Sequence, residues 1–290
     1  MGKGENTVFD QVQALHGDLT RAERQLADTI LDNYPISGLG SITELAEQAG
    51  VSTPTVARMV QKIGYSGYPE FQAALRVELQ AMVSNPVHKR ERWGQDIPET
   101  HVLHRFAQAA SENMYRTLDQ IDPVEFDALC GIIIDPARRL HIAGGRISGT
   151  LAQYLFLHLQ MIRPGVALVP THSNVWPHYM LDIGAGDTLI AFDVRRYENS
   201  TLLMAEMAHE RGAEIVLFTD QWRSPIHRVA SHTFAARISV PSAWDSAMAT
   251  MLLIECAIAA VQEGNWEAVK SRTDTLEASF DRTGLFRKFT

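Results

Sequence analysis

The sequence predicts two domains of different class: an all-α domain over residues 1–82 and an α/β domain over residues 101–290 built on a five-stranded parallel sheet. Three observations predict this. The first eighty residues carry apolar stripes at helical spacing, each opened by a capping signature. From residue 140 onward, short β-rich apolar runs alternate with helical ones, the pattern of a parallel sheet covered on both faces. Between them, residues 83–100 hold mixed charge, prolines and a glycine without apolar periodicity, which marks a linker.

The helical elements follow in order. Val8, Val12 and Leu15 share one face of a first helix. Thr20 with Glu23 is a capping box, and Leu26, Ala27, Ile30 and Leu31 supply that helix's core stripe before Asn33-Tyr34-Pro35 ends it. Ser41 with Glu44 is another capping box, followed by Ile42, Leu45, Ala46 and Ala49 at helical spacing. Gly50 sits where a helix ends in a left-handed residue. Thr53 is placed to cap the next helix with Pro54 at its first position, and Val56, Met59, Val60 and Ile63 form its buried side. Residues 64–69 form a turn, and Phe71, Leu75 and Leu79 begin a further helix.

Two short helices joined by a glycine turn have the sequence form of a DNA-reading helix-turn-helix. Ser52, Thr53, Thr55, Arg58 and Lys62 fall on the polar side of the second helix, where they can touch phosphates and base edges. Ser41 and Tyr65, at the two ends of the motif, complete the expected DNA-binding set. The bland alternative is a helical hairpin with a solvated polar face, but capping box, turn glycine and basic hydroxyl-rich face occur together. Charge sets a limit: residues 1–95 hold nine Lys or Arg against eleven Asp or Glu. Phosphate neutralisation therefore rests on the local stripe from Ser52 to Tyr68, which has Arg58 and Lys62 and no acid. Modest affinity per subunit, raised by dimerisation onto two half-sites, is the expectation.

Composition narrows the class. With 46% hydrophobic and 21% charged residues and a net charge of -8, the chain reads as a soluble globular protein and argues against a general polyanion binder. Cys130 and Cys256 lie in apolar contexts without metal-type spacing and read as buried free thiols of a reducing compartment. No secretory signal and no membrane-spanning apolar run are legible, so a cytoplasmic protein without membrane contact is expected.

In the second domain a helix from about Val102 to Leu118 comes first, ended by Ile121-Asp122-Pro123. Strands are expected at residues 140–143, 166–169, 188–192, 215–218 and 233–238, and a long apolar helix, 247–261, follows the last. Ligands of such sheets bind beyond the carboxyl ends of the strands. After the first strand, Gly144, Gly145, Arg146 and Ser148 can offer amides, a hydroxyl and a helix N-terminus to an anion, or simply pack as a tight turn. The glycine pattern is not the dinucleotide fingerprint, and the second strand ends in Val169-Pro170-Thr171-His172 without an acid for a ribose. This argues against a nicotinamide cofactor, and no cofactor or metal is expected. After the third strand come Asp193, Arg195, Arg196, Tyr197, Glu198 and Ser200. The arginines either clamp a carboxylate or phosphate, or pair with Asp193 or Glu198. Thr171, His172, Ser173 and Asn174, and Ser242, Asp245 and Ser246 before the closing helix, are weaker candidates.

At the level of family, the chain resembles the RpiR family of bacterial regulators, a helix-turn-helix joined to a sugar isomerase (SIS) domain. The resemblance rests on Leu19-Thr20 with Glu23, Ser41-Ile42 with Glu44-Leu45-Ala46, Gly50-Val51-Ser52 with Thr55, Val56 and Arg58, and Lys62-Ile63-Gly64-Tyr65 with Gly67-Tyr68 and Phe71. The strand–glycine–Ser148 turn, Gly212-Ala213 and Thr219-Asp220 with Ser224-Pro225 extend it. It implies a flavodoxin-like SIS fold, a homodimer or dimer of dimers, a palindromic double-stranded DNA operator and a phosphosugar or related anionic effector. Where phosphosugar-binding members carry a Ser-x-Ser-Gly-x-Thr type loop, this chain has Asp193 to Ser200. Guanidinium groups and a carboxylate thus replace glycine and serines, which points either to a sugar acid or other carboxylate held by arginine, or to a changed phosphate grip. The competing class, a sugar-phosphate isomerase, would need a positioned base such as His172, His227 or Glu255, and none has an evident partner. The tail from Trp266 is expected at a subunit interface.

Overall fold

The computed structural model describes residues 6–93, 100–170 and 174–287 of the chain. It divides into two compact units, residues 1–88 and 89–290.

The first unit is built from α1 (Val8–Leu15), α2 (Arg21–Asp32), α3 (Ile42–Gln48), α4 (Thr53–Lys62) and α5 (Tyr68–Val83). Capping boxes open three of them, Thr7 with Asp10, Thr20 with Glu23 and Ser41 with Glu44. Each satisfies amides that the helix itself leaves unpaired. Helix α3 ends in a Schellman motif. Gly50 has φ 62°, the Gly50 amide donates to Glu47 O at 3.1 Å and that of Val51 to Ala46 O at 2.9 Å. Helix α4 ends the same way through Gly64, φ 106°. Its start differs by one residue from the expectation: Ser52 is the N-cap residue and Thr53 the first helical one, with no side-chain cap bond. The Ser52 hydroxyl lies 2.9 Å from that of Thr55 instead. The apolar stripes converge on one core containing Val12, Leu26, Ile30, Leu45, Val56, Met59, Phe71 and Leu75.

The stretch expected as an irregular linker is helical in part, as α6 (Pro86–Trp93). Proline is tolerated in a first turn, and Asn85 accepts from the His88 amide at 2.9 Å. The second unit continues with α7 (Val102–Gln120), α8 (Pro123–Ile134), β1 (Leu140–Gly144), α9 (Gly149–Ile162), β2 (Val166–Leu168), the short α10 (Trp176–Tyr179), β3 (Thr188–Phe192), α11 (Asn199–Glu210), β4 (Glu214–Asp220), β5 (His232–Ala236), α12 (Met248–Gly264) and α13 (Trp266–Thr283). Helix α8 has no counterpart in the sequence reading. Asp122-Pro123, which stops α7, is also its start: Asp122 accepts from the Val124 amide at 2.9 Å.

The sheet is wholly parallel in the order β2-β1-β3-β4-β5, the flavodoxin-like arrangement. Alternate residues serve its two faces. Ile142, Ile190, Phe192, Val216, Phe218 and Phe234 pack under α8, α9 and α12, while Ala143, Leu189, Ala191, Ile215 and Leu217 meet α11. Phe192, Phe218 and Phe234 are in register across three strands and stack at centroid distances of 4.8 and 5.3 Å. This aromatic ladder closes the core at the carboxyl end of the sheet. Cys130 is buried and Cys256 half-buried, both as free thiols. Among the described residues no helix is long and apolar enough to cross a membrane.

Candidate functional site

In the first unit, α4 presents a polar face whose details differ from the sequence reading. Ser52 and Arg58 are exposed, Ser41 is exposed as the cap of α3, and Thr53 is half-buried. Thr55 is buried, with its hydroxyl accepting from Arg58 Nη2 at 3.3 Å, so it supports the arginine from beneath. Lys62 is not free: its ammonium donates to Asp18 O at 2.8 Å and to Glu23 Oε2 at 3.3 Å. Tyr65 packs edge-on against Phe71 at 5.7 Å, and burial raises its hydroxyl pKa. Arg58 is thus the cation this face offers most directly.

In the second unit, Gly144 and Phe192 are register partners, so the loops after β1 and β3 leave the sheet side by side. Here strand order reverses, because β2 lies on one side of β1 and β3 on the other. The turn after β1 is tight. A Cβ on Gly144 would lie 2.7 Å from Ser148 O, and one on Gly145 would lie 2.9 Å from Glu198 Oε1. Ser148, expected to donate to a ligand, is buried and spends its hydroxyl proton on Phe192 O at 2.7 Å while accepting from the Gly145 amide at 2.9 Å. It acts as a turn brace. The Arg146 amide donates to Glu198 Oε1 at 2.7 Å, and the Arg146 side chain is exposed.

The loop after β3 resolves the open choice for its arginines in opposite ways. Arg195 is internal: its Nη2 and Nε lie 2.5 and 3.1 Å from Asp245 Oδ2, and its guanidinium stands 5.0 Å over the Trp222 ring. Its partner is neither Asp193 nor Glu198. Asp245 also accepts from Lys89 at 2.6 Å, and Lys89 is buried. Arg196 is exposed. Asp220, the last residue of β4, is fully buried and accepts from the Arg195 amide at 2.7 Å, Tyr197 Oη at 2.8 Å and the Trp222 amide at 2.9 Å. Burial raises both the Asp220 carboxyl and, together with Asp220, the Tyr197 hydroxyl. Asp193 is buried against Ser224, whose hydroxyl donates to it, and burial pushes its carboxyl up to about 7. Ser200 opens α11 half-buried. Ser246 braces the approach to α12, accepting from Met248 N at 3.3 Å.

Thr171, His172 and Ser173 lie outside the described residues. Of the bases considered for an enzyme, His227 contacts Ser224 O at 2.9 Å and Glu255 accepts from Tyr154 Oη at 3.0 Å on the surface of α12. Sequence reasoning missed Asp220, Trp222 and Lys89 as members of the cluster. Asp220 was signalled by its place at the carboxyl end of a strand. A separate groove of about 760 Å³ lies at the amino ends of β1 and β2, between Ile134, Arg163 and α13, and contains none of the candidate DNA- or ligand-binding residues.

Comparison with known proteins follows the same division. Residues 7–82 match the helix-turn-helix domain of the rpiR family, and residues 133–260 match the SIS domain. The chain belongs to the RpiR family. It is 24% identical over 245 residues to an uncharacterized HTH-type transcriptional regulator of Haemophilus influenzae, covering 80% of each chain. Identity to the HTH-type transcriptional regulator HexR of Pseudomonas aeruginosa is 27% over 232 residues, or 77% of this chain and 76% of that one. In fold it is similar to the Vibrio vulnificus NanR protein, a structure complexed with ManNAc-6P, with a TM-score of 0.57 at 20% identity over 97% of this chain and 99% of that one. The domain pair of this RpiR-family chain is that of a transcriptional regulator.

Proposed function

We propose that this RpiR-family chain is a cytoplasmic regulator, not an enzyme, whose operator affinity is set by a small anionic metabolite bound at the carboxyl ends of β1 and β3. Exposure of Arg58 on α4, directly after a capped helix and a glycine turn, carries the DNA-binding half of this reading. Arg146 and Arg196 support the sensing half, being exposed on the two loops that diverge at the strand-order reversal. A guanidinium matches carboxylate or phosphate geometry, so a phosphosugar or a sugar acid fits this pair. NanR, complexed with a phosphosugar, lends weight to that class. In this reading two subunits, or a dimer of dimers, address a palindromic double-stranded operator with half-sites about one helical turn apart or a multiple of it. The effector would alter their spacing, and coupling of roughly 1–3 kcal/mol suffices for regulation. Residues 1–82 would form the reading domain and 101–290 the sensing and dimerising one.

Fluorescence anisotropy with the DNA upstream of the chain's own gene tests this. Arg58→Ala is expected to weaken specific binding by about 1–3 kcal/mol, the range of a lost base contact. Lys62→Ala should cost less, because its ammonium is engaged within its own domain. Sequence-blind binding, or an unchanged Arg58→Ala, would remove the reading's support.

A further inference from the structure

The turn after β1 already holds an anion. The Glu198 carboxylate, carried in from the loop after β3, accepts the Arg146 amide at 2.7 Å and lies against the Cα face of Gly145. Three further donors of the turn are committed elsewhere. The Gly145 amide goes to Ser148 Oγ at 2.9 Å and to Phe192 O at 3.3 Å, the Ser148 hydroxyl to Phe192 O, and the Gly149 amide to Gly145 O at 2.6 Å. Glu198 is the N-cap residue of α11, yet its side chain makes no capping bond there and turns across to β1. The Glu198 amide in turn donates to Asp193 Oδ1 at 3.4 Å, which ties the same loop to the buried acid.

A tetrahedral phosphate oxygen set needs several converging donors, whereas a planar carboxylate needs about two. With the brace formed by Ser148, the turn retains what a carboxylate uses: the Arg146 amide together with an exposed guanidinium. Resting on the sensing reading above, we propose that Glu198 is a tethered competitor that sets effector class, and that the effector is a carboxylate-bearing sugar acid which displaces it from the Arg146 amide. A sugar acid exchanges one carboxylate for another on the same donor. A phosphosugar finds the Ser148 hydroxyl and the Gly145 and Gly149 amides already spent.

Isothermal titration calorimetry on the full chain tests this, with gluconate, galactonate and glucuronate as probes against glucose 6-phosphate and inorganic phosphate. Glu198→Gln removes the competing charge at nearly constant size, and Glu198→Ala removes the competitor outright. Both are expected to bind at least one of the sugar acids roughly tenfold tighter than wild type, the factor for releasing one charge-assisted hydrogen bond. Affinity for the two phosphates should change less than twofold. Sugar-acid binding that depends on Arg196, tested as Arg196→Ala, but is indifferent to both Glu198 variants overturns this inference alone and leaves the sensing site standing. So does a larger gain for phosphates than for sugar acids. No anion binding by wild type or either Glu198 variant overturns the inference and the sensing site together.

Discussion

Asp245 carries two buried cations at once, and removing its charge has a calculable consequence. Lys89 and Arg195 side chains are 9% and 6% exposed and Asp245 18%, so solvent screens none of the three well. Deleting one partner of a desolvated pair costs about 3–5 kcal/mol, because the remaining charge is left without compensation. Asp245→Asn keeps the size and one acceptor, which places the expected loss near the lower end, about 3 kcal/mol at pH 7. For a unit of this size that is a drop in Tm of roughly 6–12 °C.

The pH dependence gives the sharper test. Burial already lowers the Lys89 pKa, and the hydrogen bond and charge of Asp245 hold it up against that pull, while Arg195 lowers it further. In Asp245→Asn only the lowering influences remain. A lysine whose folded pKa lies below its unfolded value of about 10.4 binds fewer protons when folded, so stability rises with pH between those two values. The deficit of the variant against wild type should therefore shrink from pH 7 to pH 9.5. All five tryptophans, Trp93, Trp176, Trp222, Trp244 and Trp266, lie in residues 89–290, so urea unfolding followed by tryptophan fluorescence reports this unit alone. A loss under about 1 kcal/mol, the range of exposed pairs, would refute the claim that the triad is desolvated. An equal deficit at both pH values would refute the assignment of the cost to the Lys89 charge.

Two further outcomes follow from single side chains. His141, buried in β1 with neither ring nitrogen hydrogen-bonded among the described residues, has its pKa lowered by burial. The unfolded chain then binds the extra proton first, so stability falls as pH drops through about 6.5. His141→Leu should lose less Tm than wild type between pH 7.5 and pH 5 by differential scanning fluorimetry, and parallel losses would exclude His141 as an acid sensor. Ser148→Ala leaves Phe192 O without its hydroxyl donor and should cost about 1–2 kcal/mol in tryptophan-detected unfolding. Unchanged stability with weakened anion binding would instead restore Ser148 as a ligand donor.

Most of the fold was legible because its signals are local. Capping boxes at Thr20 and Ser41 and the glycines at 50 and 64 act within four residues, and each of the five strands was bounded by its own turn. Failures arose where one signal had two meanings. Asp122-Pro123 stops α7 and starts α8, and α8 offered no stripe to read because apolar residues run nearly all round it. Helix α6 was hidden by its mixed charge, since the residue that seats it, Lys89, finds its carboxylate 156 residues later.

The site was legible in residue type and place but not in allegiance. Carboxyl ends of parallel strands gather polar loops whatever the sequence, so Gly145, Ser148, Asp193, Arg195 and Arg196 were found by position. Whether each group is offered or consumed depends on partners set by the packing of separate loops. Arg146 meets Glu198 across 52 residues, and Arg195 meets Asp245 across 50. Two adjacent arginines of identical chemistry thus divide, Arg195 folded onto Asp245 and Trp222 and Arg196 left at the surface. No spacing rule separates them, because the choice is made by desolvation: the guanidinium that reaches a buried carboxylate gains more than its neighbour loses to water. The same logic makes Glu198 informative. A carboxylate that sits at the N-cap of its own helix yet bridges to another loop's amide marks that amide as an anion position on this end of the sheet.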